Sequence, residues 1–349
     1  MRKGKSFIFV SLMVVASLLF FACSGGQTTS SKGGAAATAQ AKVKPGTIGF
    51  SLPFATAPFY WAAANGLKDT MEAMGYKVIV TNAANDPAQQ LQQLTNFDTQ
   101  KVQSVALIAY DYASVSPAID KLRADGIPVF CIDRDVNTPT DSFLITDNRK
   151  AGAALADFVI KELKGAKAHI IKDYFAVNVV PLVDRVDGFM DEMAKSYKGK
   201  YDVVGEIGGA GGGGDPFEAH IPLFKDILLK HKDANVFILG TDLLAKPAVA
   251  ALKELNLFKP AGQAGAPIIV GVDGNPETLD AIRNGDVTAC FSQYPYLQGV
   301  WTGFMADRWI HGRSDLIPTT LYFGGDVVTY SNVGNFKHLW GDIKWKQID

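Results

Sequence analysis

Pro128-Val129-Phe130-Cys131-Ile132-Asp133-Arg134 and, a short way on, Ser142-Phe143-Leu144-Ile145-Thr146 hold the choice of fold. Each is a run of β-branched, aromatic and aliphatic residues bounded by turn formers, and each reads as a strand. About eight residues join them, too few to carry a crossover helix between parallel neighbours. The interruption argues against a single (β/α)8 barrel, which uses about 250 residues and follows every strand with a helix. The chain is expected to change from one lobe to another at this junction.

On either side, strand-like and helix-like segments alternate. Toward the N-terminus, Thr47 to Leu52 reads as a strand, and Phe59 to Gly75 places Ala63, Leu67, Met71 and Met74 on one helical face. Lys77 to Thr81 is the next strand. Asp86-Pro87-Ala88-Gln89 then supplies an N-cap, a proline at the first helical position and a glutamine three residues after the cap, opening a helix to about Lys101. Ser104 to Tyr110 follows. Toward the C-terminus, Ala168 to Lys172, Asp202 to Ile207, Asn235 to Gly240, Pro267 to Val272 and Thr288 to Ser292 are strands, mostly separated by helix-length segments. The fold class is α/β, with two doubly wound parallel-sheet lobes and a ligand cleft between them.

The 349 residues are 48% hydrophobic and 20% charged, a composition of folded globular chains that excludes disorder and fibrous repeats. With 34 basic and 35 acidic residues, there is no positive field to hold nucleic acid. Cys23, Cys131 and Cys290 form no CxxC pair, and His169, His220, His231, His311 and His338 show no ligand spacing. Neither a metal nor any other cofactor is expected. Cys131 and Cys290 fall in strands and read as buried thiols. Trp301 and Trp309, with Phe304 between them, read as the packing face of a helix.

The first 22 residues stand apart. Arg2, Lys3 and Lys5 precede the apolar run Phe7 to Phe21, too short for a spanning helix and typical of an export signal. Leu19-Phe20-Phe21-Ala22-Cys23 resembles the lipobox of bacterial lipoproteins, which implies lipid attachment at Cys23 and a place at the outer face of the cell membrane or in the periplasm. Cleavage there removes those three cations and leaves 31 basic and 35 acidic residues, net −4. Residues 23–44, rich in Gly, Ser, Thr, Ala and Gln, cannot repay the entropy of ordering and read as a flexible tether.

Doubly wound sheets leave their ligand crevice at the carboxyl ends of parallel strands. Those ends carry Phe54 with Phe59 and Tyr60, then Asp133 and Arg134, then Thr241 and Asp242, Asp273 and Gln293. Planar Asp, Arg and Gln side chains pair with vicinal hydroxyls, and aromatic rings cover C–H faces, so the set suits a polyhydroxyl ligand. Asp242 serves equally well as a helix cap.

The residues also carry a resemblance. Pro58-Phe59-Tyr60, Gly75-Tyr76, Asn85-Asp86-Pro87-Ala88, Ile127-Pro128-Val129, Ile132-Asp133-Arg134, Thr146-Asp147-Asn148 with Gly152, Arg185 before Gly188-Phe189, Gly271-Val272-Asp273-Gly274 and Gln293 occur in this order. From Thr47 to about Thr329 the chain resembles the periplasmic sugar-binding proteins of the ribose-binding type, substrate receptors of ABC importers. The resemblance implies one monosaccharide held between lobes that close about three chain crossings, near Thr146-Asp147, Gln293-Tyr294 and Asp315 to Pro318. It implies an N-terminal lobe of residues 45–146 plus 294–316 and a C-terminal lobe of 147–293 plus 317–349. It makes Phe59 and Tyr60 stacking aromatics of the N-terminal lobe and Asp133 and Arg134 its hydroxyl clamp. Arg185, Asp273 and Gln293 become the matching polar contacts, Phe217 the opposing ring, and Thr241 a further ligand contact. The expected partners are the sugar, an importer's membrane permease and a chemoreceptor, with the chain a monomer and not an enzyme.

Two departures point to a different ligand within that frame. Ala57 stands where the family usually has Asn or Asp, and Thr241 where Asn is common; both remove hydrogen-bonding capacity. The alternatives are a receptor of the same fold for a non-sugar polar ligand, or an exported carbohydrate-active enzyme using Asp133 and Asp273 as acid and base. Gly209, Gly211 and Gly214 satisfy GxGxxG, but the run holds six glycines and the candidate acidic partner Asp242 is too distant, so Gly208 to Gly214 reads as a loop at the cleft rim.

Overall fold

A computed structural model of the protein describes residues 44–208 and 216–336. The signal segment, Cys23, the tether, Gly209 to Gly214 of the glycine loop, and His338 lie outside the described residues. Two six-stranded sheets organise the rest. The first lobe is built on β1 (Thr47–Leu52), β2 (Lys77–Asn82), β3 (Ser104–Leu107), β4 (Val129–Ile132), β5 (Ser142–Thr146) and, from far down the chain, β11 (Thr320–Phe323). The second holds β6 (Ala168–Asp173), β7 (Tyr201–Ile207), β8 (Val236–Leu239), β9 (Ile268–Asp273), β10 (Ala289–Ser292) and β12 (Asp326–Thr329). Their orders, β2-β1-β3-β4-β5-β11 and β7-β6-β8-β9-β10-β12, repeat one pattern. Every pairing is parallel except β10 with β12.

Helices cover both faces of each sheet, so β3, β4, β8 and β10 are buried along their whole length and read as unbroken apolar runs. In the N-lobe, α1 (Pro58–Ala73) and α9 (Pro295–Ile310) pack with Ile48, Phe50, Phe130 and Leu144, while α2 (Pro87–Thr99) and α3 (Ser116–Ala124) pack on the other face with Val105 and Cys131. In the C-lobe, α4 (Asn148–Leu163) and α5 (Val180–Ser196) cover one face, and α6 (His220–Lys230), α7 (Ala245–Glu254) and α8 (Pro276–Arg283) the other. The α2 cap forms as its sequence predicts: Asp86 accepts from the amides of Ala88 at 2.8 Å and Gln89 at 3.2 Å.

Glycines set the spacing of two helix pairs. A Cβ on Gly66 would strike the Tyr296 carbonyl oxygen and one on Gly299 that of Ala63, locking α1 against α9. Gly152 and Gly188 do the same for α4 and α5, against the carbonyls of Arg185 and Arg149.

Three expectations change. The chain does not change lobes between β4 and β5, which are parallel neighbours in one sheet. An extended chain covers about 3.3 Å per residue, enough for the 133–141 segment to run back along a short strand without a helix. Asp141 pins that segment by accepting from Val129 N at 2.8 Å. The third crossing lies at Gly324-Gly325, not at Asp315 to Pro318, because β11 pairs with β5 and only β12 returns to the second sheet; residues 320–323 belong to the N-lobe. Finally, Trp301 and Phe304 are 41% and 40% exposed and meet edge to face at 6.0 Å. The packing face of α9 is the run of small residues with Gly299, Thr302 and Gly303, which lets the backbones approach, and only Trp309 turns toward the N-lobe core. Cys131 and Cys290 are buried free thiols, as read.

Candidate functional site

The carboxyl ends of β1, β4, β6, β8 and β9 meet at one cavity of about 380 Å³ between the lobes. On the N-lobe side, β1 runs through Phe54 to α1, opened by Pro58. Ala57 at the cap position has no side chain to hold the helix amides. Tyr60, buried in the first turn, sets its ring edge-on to Phe54 at 5.0 Å and Phe59 at 5.8 Å. Its hydroxyl accepts from Arg134 Nη2 at 2.8 Å, while Arg134 Nη1 donates to the Tyr110 carbonyl at 2.9 Å. The guanidinium lies 5.8 Å from the ring centres of both Phe54 and Tyr60. Burial pushes the Tyr60 hydroxyl up to about 12, with Arg134 opposing, so it keeps its proton. Arg134 Nε is buried with no hydrogen-bond partner among the described residues.

Asp133 sits in the left-handed region at φ +65°, a conformation that Asp tolerates better than most residues. It is 7% exposed, and no described residue hydrogen-bonds its carboxylate. Burial raises its pKa; Arg185 and then Arg134 oppose the rise, and Asp273 adds to it.

The C-lobe wall centres on Asp273, at the last position of β9 with φ +148°. Oδ1 accepts from Arg185 Nη1 at 2.9 Å and Gln293 Nε2 at 2.6 Å, and Oδ2 from Thr241 Oγ at 2.6 Å. Arg185, 3% exposed on α5, also donates Nε to Asn148 at 2.8 Å and Nη1 to the Gly240 carbonyl at 2.9 Å. Burial pushes the Asp273 carboxyl up, against the lowering pull of Arg185 and the three donors. Phe217 stacks on Phe175 at 4.7 Å with 24° between the planes.

Eight of the nine residues read from the sequence line this cavity: Phe59, Tyr60, Asp133, Arg134, Arg185, Phe217, Thr241 and Asp273. Gln293 does not. Fully buried beneath Asp273, it holds the carboxylate from behind. Asp242 turns away and caps the turn after β9, accepting from Gly274 N at 2.7 Å, Asn275 N at 3.1 Å and Asn275 Nδ2 at 2.5 Å. Burial, then the charge of Asp273, pushes its carboxyl up to about 8. Phe175 is the aromatic lining residue that sequence reasoning misses, and Val179, Leu182, Glu218 and Leu243 are missed with it. Phe175 follows the end of β6 at φ +59°, so applying the strand-end rule to β6 finds it. Behind its ring, His220 Nδ1 and Asp173 Oδ2 lie 2.7 Å apart, both buried.

These features define a class: a two-lobed receptor with its site in the cleft between two doubly wound sheets. The chain belongs to the periplasmic binding protein domain family, whose profile matches residues 48–314. It is similar to the ribose import binding protein of Bacillus subtilis (strain 168), 25% identical over 77% of this chain and 83% of that one. The D-apiose import binding protein of Paraburkholderia graminis is 28% identical over 85% of this chain and 90% of its own length. Among solved structures, a solute-binding protein of Actinobacillus succinogenes 130z with bound D-allose superposes with a TM-score of 0.74 at 19% identity, over 84% of this chain and 100% of that one. The Caulobacter myo-inositol binding protein gives 0.71 at 23%, over 83% and 95%.

Proposed function

We propose that this chain is the sugar-binding substrate receptor of an ABC importer, exported and anchored by lipid at Cys23, which closes its lobes over one monosaccharide. The observation that carries the reading is the facing of Asp133 and Arg134 from one lobe with Arg185 and Asp273 from the other across a single cavity. Among these four facing side chains two carboxylates balance two guanidiniums, and Glu218 adds a further carboxylate to the lining, a set that suits a neutral ligand rich in hydroxyl donors. Hydroxyls supply the donors that Asp133 lacks and the acceptors that Arg134 Nε lacks. The curated relatives named above are sugar import proteins.

A ligand bridging the lobes gains its full set of contacts only when they shut, so its differential affinity shifts the population toward the closed form. Crossings at Thr146-Asp147, Gln293-Tyr294 and Gly324-Gly325 serve as the hinge. A membrane permease, and a chemoreceptor, read the closed monomer.

Thermal unfolding of the chain from Ser24 onward, which contains every residue of both lobes, tests this against pentoses, hexoses, inositols and nucleosides. Ligand at about a hundred times its dissociation constant adds about 2.7 kcal/mol, visible as a raised midpoint. A selective response with the compound recovered unaltered supports the receptor. Conversion of the compound favours the carbohydrate-active enzyme, and silence across the panel favours a non-sugar ligand.

A further inference from the structure

We infer that Asp173 and His220 position the aromatic wall of the cavity: together they fix Phe175 and, through it, its stack with Phe217, so the ring face that the C-lobe turns to a ligand depends on them. The inference rests on the cavity being the ligand site, and adds to that reading two positioning residues that stand outside its lining.

Asp173 closes β6 fully buried, and its carboxylate is divided between two tasks. Oδ1 accepts from Phe175 N at 2.8 Å, a side-chain-to-backbone turn two residues long. Phe175 needs that contact: at φ +59° it occupies the left-handed region, which a bulky residue keeps only where its surroundings over-determine it. Oδ2 lies 2.7 Å from His220 Nδ1 and spends the other half of the carboxylate.

His220 is the first residue of α6 and follows directly on the single 3₁₀ turn Phe217–Ala219, which brings Phe217 to the cavity. Its hydrogen bond to Asp173 therefore ties the segment that carries one ring to the segment that carries the other. The imidazole also lies against the Phe175 ring, 5.4 Å between centres with 36° between planes, and Phe175 stacks on Phe217 at 4.7 Å and 24°. One pair thus sets both the backbone and the ring of Phe175. Both members are buried, so opening the link leaves polar groups dry and unpaired, which makes it far stiffer than a surface ion pair. Ring stacking has a preferred spacing and offset, so a shift of either segment changes the wall.

Fluorine NMR on the chain from Ser24 onward, with 4-fluorophenylalanine in place of Phe217 alone, tests the inference. No sugar is needed, so a failure here leaves the receptor reading standing. The fluorine senses the neighbouring Phe175 ring, and Phe175→Leu marks where the resonance falls once the stack is gone. His220→Leu is expected to move the native resonance to that position. His220→Asn, whose amide nitrogen takes the place of Nδ1, is expected to keep it where the unaltered chain has it. A pair that serves stability alone lowers the urea midpoint of His220→Leu and leaves the native resonance in place, and that result overturns the inference. His220→Gln, whose longer side chain carries its amide toward the place of Nε2, is expected to shift the resonance as His220→Leu does, and an unmoved resonance there overturns the inference even where His220→Leu fails to fold.

Discussion

Arg185 and Asp273 meet 2.9 Å apart, Nη1 to Oδ1, with both side chains buried, one on α5 and the other at the end of β9. The pair joins the helix layer to the sheet at the floor of the cleft. Removing one member leaves the other charge buried alone, which costs about 3–5 kcal/mol. Arg185→Leu is therefore expected to lower the urea midpoint strongly, and Arg185→Leu with Asp273→Asn to restore part of the loss. A double variant as unstable as the sum of the singles would show that the two act independently. Ligand affinity falls in each single variant by about 1.5–3 kcal/mol.

Asp133 behaves differently because its carboxylate has no hydrogen-bond partner among the described residues and its left-handed backbone suits Asn as well. Asp133→Asn should hold or raise the unfolding midpoint of the free protein at neutral pH, because burial disfavours the ionised carboxylate, while weakening ligand by about 1.5–3 kcal/mol. Unchanged calorimetric affinity would remove Asp133 from the contact set.

The buried carboxylates set opposite pH trends. Asp133, Asp242 and Asp273 all have raised pKa values in the fold, Asp242 to about 8. Between the ordinary value of about 3.9 and these raised values the native state holds more protons than the unfolded chain, so the stability of the free protein falls as pH rises through that window. Ligand affinity runs the other way: hydroxyls donate to ionised Asp133, so binding is lost as pH falls through its raised pKa. Urea unfolding and ligand titration over the same pH series check both signs.

Glycine at the two helix crossings gives a further contrast. Gly152→Ala pushes on the Arg185 carbonyl, and Gly66→Ala on that of Tyr296. Each should cost about 1–3 kcal/mol of stability by overpacking. Gly152→Ala should also weaken ligand by displacing Arg185, and Gly66→Ala should not, which calorimetry on both variants decides.

Much of this was legible in the chain because strand ends carry the site and parallel strands announce themselves as apolar runs. Phe59, Asp133, Arg134 and Asp273 follow from that rule alone. Arg185 does not: it is a mid-helix cation, and only a resemblance picks it out. β11 and β12 escape a local reading because they are short edge strands, half exposed, whose partners lie far away in sequence. The 133–141 connection misleads because a short strand can be retraced by extended chain, a possibility that helix-length arithmetic ignores. Gln293 and Asp242 have the residue types of ligand contacts, and only packing shows that one supports Asp273 from behind and the other caps a turn.

The pairing of β11 with β5, Thr320 beside Phe143, has a consequence for how the protein is made. Neither lobe is a continuous stretch of chain. A polypeptide emerging from the ribosome N-terminus first has all of β1 to β5 in hand yet lacks α9 and β11, and such long-range pairings form late and slowly. The first lobe stays unfinished until the end of synthesis. For a chain proposed to be exported, that delay is useful: it keeps the polypeptide threadable until it has crossed the membrane, where both lobes are completed together by their shared final segment.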